Sequence, residues 1–321
     1  PEAPDVQSEV DNIKKQILKR LLHLAVIIIG LSFLTYLLMY ISPGDPALKK
    51  LNAQGISVSE ETLEAAREEM GLNEPFLVRY AQWLGNALTG DLGTSYKDGL
   101  PVADKLVHAL RYTLILSVGS LAVSLIAALP LSVISAVRKD GLLDNVVRFL
   151  SFIGNSLPNF LISVLLMYFF CIRTKLLPVI AEENLKGLIM PCLALAIPMC
   201  SRFIRQFRAE ILEQLGRDYV LGARARGVNS LTILFKNVLH NAMIPILTII
   251  ALSVGTLLGG SVVVETIFRW PGLGKLVMDS ISVRDYPVIQ GFVIFTSCVY
   301  VLINLAADIC YRRLDPRVEE M

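Results

Sequence analysis

Hydrophobic residues in this chain of 321 residues form long apolar runs that alternate with more highly charged segments. The first run extends from Leu21 to Ile41, close to the ~20 residues that a helix needs to cross the hydrocarbon core of a membrane. Five more runs have a similar character. They occupy about 111–137, 146–170, 188–204, 244–264 and 288–309. The pattern predicts an all-α polytopic membrane protein with six transmembrane helices.

These runs divide the chain into a predicted series of segments. A tail at 1–20 precedes the first transmembrane helix at 21–41, and a more polar segment follows at 42–105. A core of five transmembrane helices then occupies residues 106–311, and a second tail occupies 312–321. Just before the fifth of the six spans, the basic residues 217–245 predict a helical hairpin.

Composition and charge agree with a membrane location. Hydrophobic residues make up 54% of the chain and charged residues 18%, with a mean hydropathy of +0.58; soluble domains have about 25% charged residues. The net charge of +2 gives no indication of nucleic-acid binding. More than half of the 30 lysines and arginines fall in the tails and at 138–148 and 202–236. The positive-inside tendency therefore places these segments and both termini in the cytoplasm.

The segment at 42–105 falls on the outer side and predicts two helices. Ser57 and Glu60 have the spacing of a capping box, and the helix that they begin should end at Gly71. Pro75 then opens a second helix, which should end at Gly90. Its apolar face comprises Phe76, Tyr80, Trp83, Leu84 and Leu88. This segment is either a cap packed on the spans or a functional surface at the membrane interface.

The hairpin at 217–245 begins with a predicted helix from Tyr219 to Arg226, whose small residues would let another protein approach the backbone. Gly227 should end this helix, as glycine commonly does at C′, and Asn229 or Ser230 should cap a second one. The second helix has an apolar stripe formed by Leu231, Leu234, Phe235, Val238 and Leu239. These residues alone favour a solvated cytoplasmic hairpin over a docking element, because cytoplasmic loops are commonly basic.

The run Gly222-Ala223-Arg224-Ala225-Arg226-Gly227, followed by Ile244-Pro245, resembles the EAA motif of permease subunits of bacterial ABC importers. In that family the motif forms the coupling helix, which sits in a cleft of the ATPase subunit. Gly222 replaces the leading Glu of the motif, as it also does in the peptide-permease branch. The resemblance assigns ATPase coupling to Tyr219, Gly222, Ala223, Arg224, Ala225, Arg226 and Gly227.

Other motifs, in the correct order, resemble the dipeptide, oligopeptide and nickel branch of these permeases. They are Pro43-Gly44-Asp45-Pro46, Met70-Gly71-Leu72, Gly90-Asp91-Leu92-Gly93-Thr94-Ser95-Tyr96, Val264-Glu265-Thr266-Ile267-Phe268, Trp270-Pro271-Gly272-Leu273-Gly274 and Arg284-Asp285-Tyr286-Pro287-Val288-Ile289-Gln290. The resemblance extends from about Ile13 to Arg317. It implies alternating-access import of short peptides, with nickel or another metal chelate as the alternative cargo.

The resemblance also implies a location and a set of partners. The chain would be a multi-pass protein of the bacterial cytoplasmic membrane and would pair with a second, homologous permease in a heterodimer. Two ABC ATPase subunits and an extracytoplasmic solute-binding protein would complete the importer. The chain itself would be no enzyme and would need no cofactor, because ATP and Mg are bound by the ATPase subunits in this family.

Neutral polar residues lie deep in two of the predicted spans and are candidates for the translocation path. They are Asn155, Ser156, Asn159, Ser253, Thr256 and Ser261. Such side chains line a wet path or hydrogen-bond to a neighbouring helix, and the sequence leaves both roles open. Ionisable residues such as His23, Glu265 and Asp308 fall near span ends. There, contact of an ionisable side chain with the membrane–water interface costs little free energy. Their scarcity at mid-membrane disfavours an ion-coupled secondary transporter and an intramembrane hydrolase.

Three further features bear on mechanism. Gly272-Leu273-Gly274-Lys275 is not a phosphate loop, because Arg269 and Leu276 occupy positions that require Gly and Ser or Thr. The Met and Cys residues of the fourth span are expected to pack rather than to bind a soft metal. Prolines in the spans should bend or locally unwind their helices; they are Pro130, Pro158, Pro191, Pro198 and Pro245.

Overall fold

The computed structural model describes residues 26–53, 58–181 and 183–314, and their side chains except 49, 53, 256, 258, 260 and 304–314. Apart from one isolated bridge between Thr94 and Pro101, the regular structure in these ranges is helical, which confirms the all-α fold. The α-helices are α1 (Val26–Ile41), α2 (Pro46–Ala53), α3 (Glu60–Glu69), α4 (Phe76–Leu88), α5 (Val102–Val137), α6 (Leu142–Ser156), α7 (Asn159–Met167), α8 (Leu185–Leu215), α9 (Asp218–Ala225), α10 (Ser230–Thr232), α11 (Leu239–Gly260), α12 (Val262–Phe268), α13 (Leu273–Val283) and α14 (Tyr286–Leu314). Two π-helical segments, Tyr168–Arg173 and Ile233–Val238, follow α7 and α10. The predicted tail at 1–20 and residues 315–321 of the second tail lie outside the described residues.

Four stretches of helix are long and apolar enough to cross a membrane: Val102–Val137, Leu185–Leu215, Ser230–Gly255 and Tyr286–Ile303. Two further candidates are bent pairs, namely α1 with Pro46–Asn52 and α6 with Asn159–Arg173. By length and composition, the described residues thus contain four candidate spans, or up to six when each bent pair counts as one. The upper number equals the six spans predicted from the hydrophobic runs.

The third predicted span is broken, because α6 and the helix beginning at Asn159 meet at an angle of 100°. Leu157 between them is extended, with ψ 129, as expected for a residue before proline, and Pro158 has no N–H to continue the helix. The bend expected at Pro158 is confirmed. The other four span prolines lie inside unbroken helices: Pro130, Pro191, Pro198 and Pro245.

The chain forms two compact units, and the first comprises the described residues up to His108 together with Leu276–Leu302. Here α4 packs on α1 through aromatic rings: the Phe33 ring is 5.7 Å from Phe76 and 5.3 Å from Tyr80. The Tyr80 hydroxyl and Ser32 Oγ share a hydrogen bond of 3.0 Å. The second outer helix is therefore a cap on the first span. Leu88, assigned to its apolar face, is 78% exposed because it lies in the last turn, beyond these rings.

The first outer helix, α3, is capped differently from the prediction. Ser59, not Ser57, is the N-cap, and it exchanges hydrogen bonds with Thr62 in a capping box. The helix therefore begins at Glu60, so this residue cannot be the third residue of a box that starts at position 57. At the other end, Gly71 has φ +63 and follows the C-cap Met70, which confirms the predicted stop.

Two motifs of the first unit hold its loops together. The Asp285 carboxylate is 1% exposed and accepts hydrogen bonds from Ser95 Oγ and from the Tyr96 N–H, the latter at 2.9 Å. The Arg284 guanidinium donates to the carbonyl oxygens of residues 42, 43 and 44, just after the C-terminal end of α1. The segments 43–46, 90–96 and 284–290 singled out in the sequence thus meet through the side chains of Arg284 and Asp285.

The second unit comprises Ala109–Lys275 and the described residues from Ile303 onwards, and α8 is its centre. The most apolar window of α8 is 61% buried, against 28% for each of the other three long candidates. Phe203 and Phe207 of α8 are fully buried and stack with centroids 5.1 Å apart. Towards the end of α8 that precedes the hairpin, these rings anchor a hydrophobic cluster that includes residues of α5, α9 and α11.

Candidate functional site

The first helix of the hairpin, α9, has one buried face and one exposed face. Val220 and Ala223 are 0% and 4% exposed and belong to the cluster around Phe203 and Phe207. Tyr219 is half-buried, and its hydroxyl donates to Gln214 Oε1 at 3.0 Å. The remaining predicted coupling residues lie on the exposed side: Gly222, Arg224, Ala225, Arg226 and Gly227. The helix is thus fixed to the core by its buried face, and its opposite face is exposed.

Gly227 ends α9 in a Schellman motif. Its φ is +77, a conformation that glycine adopts without strain. The Gly227 N–H donates to the Arg224 carbonyl at 2.9 Å, and the Val228 N–H donates to the Ala223 carbonyl at 3.1 Å. These two bonds are the pair that defines the motif. The predicted helix end is confirmed, and the glycine fixes the direction in which the chain leaves α9.

The second helix of the hairpin begins where expected, but its apolar stripe was placed wrongly. Asn229 Oδ1 accepts from the Leu231 N–H at 2.9 Å, which confirms the cap. Leu234 and Val238 are buried, whereas Leu231 and Phe235 are 64% and 62% exposed. Phe235 lies in the π-helical segment Ile233–Val238, whose wider turn departs from a 3.6-residue period. Leu231 precedes this segment, in the first turn of the helix. The segment then continues into α11 as a single span.

The exposed side of the hairpin forms one mixed surface, which we call the hairpin surface. It combines the guanidinium groups of Arg224 and Arg226 with four exposed apolar side chains. These are Leu221, Val228, Leu231 and Phe235. A Cβ added at Gly222 would meet no atom within 4 Å. Exposed apolar side chains next to charges are typical of a protein-binding surface.

A buried ion pair fixes α6 to α8 in the same unit. Arg208 donates from Nε and from a terminal nitrogen to the two oxygens of Asp144, at 2.7 and 2.6 Å. Asp144 is 0% exposed and also accepts from Ser135 Oγ and from the Asp140 N–H. The carboxylate therefore has the additional hydrogen bonds that a buried ion pair needs.

The candidate path residues fall into two groups. Asn155 and Ser156 end α6 and are exposed, and Asn159 begins α7 and is half-buried, so these three flank the bend at Pro158. Ser253 is 6% exposed and its hydroxyl donates to the Ile249 carbonyl at 2.8 Å. The side chain of Thr256 lies outside the described residues.

Ser261 belongs to a buried polar cluster that the sequence interpretation missed. Glu265 is 0% exposed, so the expected contact with the interface is wrong. Its carboxylate accepts hydrogen bonds from the Thr113 hydroxyl at 2.8 Å, from the Gly274 N–H at 2.7 Å and from the Ser261 hydroxyl. The two glycines at 272 and 274, seven and nine residues after an acidic residue, are the signal in the sequence that could have indicated this contact.

Comparison with known proteins assigns both halves of the chain. A family model described as "Binding-protein-dependent transport system inner membrane component" matches residues 128–320. A model of the corresponding N-terminal region of such membrane components matches residues 13–117. These two matches agree with the range over which the motifs resemble ABC importer permeases.

Curated relatives match over nearly their full length. A probable peptide ABC transporter permease of Sinorhizobium fredii is 37% identical over 310 residues, which are 94% of this chain and 98% of the relative. The oligopeptide transport system permease AppB of Bacillus subtilis is 37% identical over 314 residues, with coverages of 94% and 98%. The nickel import system permease NikB of Staphylococcus aureus is 39% identical over 305 residues, with coverages of 95% and 92%.

Solved structures share the fold. The inward-facing MetNI methionine ABC transporter superposes with a TM-score of 0.55 at 18% identity, covering 66% of this chain and 96% of that one. An amino acid ABC transporter gives 0.54 at 16% identity, with coverages of 66% and 94%. The chain is therefore a member of the family of inner-membrane components of binding-protein-dependent transport systems.

Proposed function

We propose that this chain is one of two permease subunits of an ATP-driven importer and that its hairpin docks on an ATPase subunit. One observation carries the proposal: α9 is fixed to the core by Val220 and Ala223, while its opposite side, with the open position Gly222, is exposed. A helix built in this way can receive a partner on one side and pass a displacement to the spans on the other.

The packing behind α9 supplies a route for that displacement. Val220 and Ala223 share a hydrophobic cluster with Phe203 and Phe207 of α8 and with Ile246 of α11. Closely packed interiors transmit strain because side chains have few voids into which they can yield. Movement of the hairpin would therefore shift α8 and α11 together. Alternate opening of the path towards each side of the membrane would follow.

The proposal includes an orientation and a set of partners. The hairpin and both termini lie in the cytoplasm, residues 42–105 form an extracytoplasmic segment, and residues 106–311 form the permease core. The second permease would be homologous to this chain, and an extracytoplasmic binding protein would deliver the solute. ATP and Mg would be bound, and ATP hydrolysed, in two separate ATPase subunits. The positive-inside tendency and the names of the relatives support this arrangement.

Short peptides are the proposed cargo, and a nickel chelate is the second candidate. Two of the relatives are named as peptide or oligopeptide permeases, and the nickel permease NikB is equally similar. The motif at 284–290 does not separate the two, because Arg284 binds main-chain carbonyls and Asp285 binds Ser95 and Tyr96. Selection of the cargo is therefore assigned to the binding protein.

The coupling proposal is tested with Gly222→Arg in the reconstituted importer. A Cβ at this open position meets no atom within 4 Å, and the long side chain of an arginine there should obstruct the approach of a partner. We expect assembly in the membrane with at least a tenfold loss of solute-stimulated ATP hydrolysis. Gly85→Arg in α4 is the matched control, because a Cβ there also meets no atom within 4 Å. Wild-type stimulation in the Gly222→Arg importer would refute the docking role.

The cargo is tested separately by calorimetry of the partner binding protein with di- to pentapeptides and with nickel plus histidine. Nanomolar to micromolar binding of peptides supports the first candidate. Binding of the nickel chelate in that range, with no binding of any peptide, would replace it with the second.

A further inference from the structure

The first unit contains a cavity of about 560 Å³ that the transport mechanism proposed above does not use. It is bordered by the outer end of α1, by α4 and by the start of α14. Aromatic side chains supply much of its wall: Tyr36, Tyr40, Trp83, Tyr96 and Tyr286. The rest of the lining is largely polar and includes Asp45, Arg67 and Asn86. The volume lies within the range of roughly 300–1,000 Å³ that is typical of small-molecule sites.

Two hydrogen-bond donors among the lining residues have no partner in the described part of the chain. They are the indole N–H of Trp83 and the side-chain amide nitrogen of Gln290, and both atoms are buried. Gln290 as a whole is 2% exposed. A buried donor without an acceptor is unfavourable, and such groups are uncommon in native structures. The two donors therefore indicate that an acceptor is supplied from outside the described part of the chain.

The charges around the cavity leave one cation without a counter-charge. Arg67 is paired with Asp45 at 2.7 Å. Arg79 instead lies over the Tyr36 ring, 5.8 Å from its centroid, and forms no ion pair among the described residues. The lining thus offers a guanidinium group and two N–H donors, a set that matches an oxyanion.

We propose that this cavity binds the oxyanion end of an amphiphile. Arg79 supplies the positive charge, Trp83 and Gln290 supply hydrogen bonds, and the tyrosine rings contact the apolar part of the ligand. The phosphate of an anionic phospholipid and the carboxylate of a free solute both have this chemistry. A lipid headgroup fits the position of Tyr36 and Tyr40 near the end of a membrane span, where aromatic side chains are enriched. The inference is independent of the proposed transport function.

The test uses the complete importer, stripped of lipid in a non-ionic detergent and examined by native mass spectrometry. The probes are dioleoyl phosphatidylglycerol and the dipeptide Ala-Phe, added separately. We expect one of them to bind the wild type at one site per chain and to bind Arg79→Gln at least tenfold more weakly. Retention of phosphatidylglycerol assigns the site to a lipid, and retention of the dipeptide assigns it to a solute.

Arg173→Gln is the matched control, because Arg173 is exposed and does not line the cavity; this variant should bind like the wild type. Gln290→Leu is a second test, since it removes one unpaired donor and substitutes an apolar group of similar size. It should weaken binding with unchanged elution of the complex in size-exclusion chromatography. The proposal is overturned when neither probe binds the wild type, or when the Arg79 and Gln290 variants bind as tightly as the wild type.

Discussion

The backbone N–H of Gly274 donates a hydrogen bond of 2.7 Å to the buried carboxylate of Glu265. The chain between these residues wraps around the carboxyl group so closely that a Cβ at Gly272 would lie 2.5 Å from its carbon atom. Trp270 is anchored by a bond of 3.0 Å from its indole N–H to the Tyr112 carbonyl. The acidic residue and the two glycines are therefore parts of a single tertiary contact.

Removal of this carboxylate should destabilise the second unit. Glu265→Ala leaves the Thr113 hydroxyl and the Gly274 N–H without their acceptor, and an unsatisfied buried group costs about 1–3 kcal/mol. Glu265→Gln retains one acceptor oxygen and nearly the same volume. We expect the thermal midpoint in detergent to fall in the order wild type, Gln, Ala, as measured by the loss of the monodisperse size-exclusion peak. Equal midpoints for the wild type and the Ala variant would contradict this role.

Substitution of Gly274 should destabilise the second unit, as removal of the Glu265 carboxylate should. A Cβ at this position would lie inside van der Waals contact with the backbone of Val262 and 2.9 Å from a Glu265 oxygen. Backbone atoms cannot move aside as a flexible side chain can. Gly274→Ala should therefore lower the thermal midpoint, whereas Gly85→Ala, in an open helical position, should leave it unchanged or raise it slightly. An unchanged thermal midpoint for Gly274→Ala would show that the chain around residue 274 moves to accept a Cβ without loss of stability.

Local signals in the sequence predicted the features that depend on neighbouring residues. The candidate spans follow from the length and hydropathy of the apolar runs. The break at Pro158 follows from the N–H that proline lacks, and the turn at Gly227 follows from the ease with which glycine adopts a positive φ. Each of these is decided within a few residues of the signal. This explains why the sequence predicts the two helices of the hairpin and the turn between them.

Long-range contacts and helix phase were not predictable in this way. Glu265 contacts Thr113, which is 152 residues earlier, and Asp285 contacts Ser95, 190 residues earlier. No periodicity within one helix indicates such partners. The sequence prediction placed Phe235 on the buried stripe because a 3.6-residue period assumes regular α-helix, whereas Phe235 lies in a π-helical segment and is exposed.

The ion pair between Arg208 and Asp144 should be necessary for stability. Arg208→Met would leave Asp144 charged and buried, and loss of one partner of such a pair typically costs about 3–5 kcal/mol. The double variant Arg208→Met with Asp144→Asn removes the unpaired charge and retains an acceptor for the Ser135 hydroxyl. It should recover a large part of the thermal midpoint lost in the single variant. Additive losses in the two single variants would show that the residues are not coupled.

The residues at the bend after α6 should differ in solvent access if they border the path. In a variant without the native cysteines, Asn155→Cys should react readily with a small hydrophilic thiol reagent, because Asn155 is exposed. Asn159→Cys should react more slowly, since Asn159 is half-buried, and Ser253→Cys should serve as an unreactive control. The rates at 155 and 159 should change with the nucleotide state of the importer. Inertness of both positions in every state would assign them to packing.

Gly227 should be required for coupling because it fixes the turn after α9. Its φ of +77 is costly for a β-branched residue and is tolerated by Asn, so Gly227→Val should disturb the two bonds of the Schellman motif while Gly227→Asn preserves them. Measurement of the ATP hydrolysed per solute transported in proteoliposomes should give a several-fold higher ratio for the Val variant than for the wild type, and a near-normal ratio for Asn. Both variants should be compared at equal amounts of assembled complex, which separates loss of coupling from loss of folding. If Gly227→Val transports with the wild-type ratio, the direction of the chain after α9 is not what transmits the movement of the ATPase subunits.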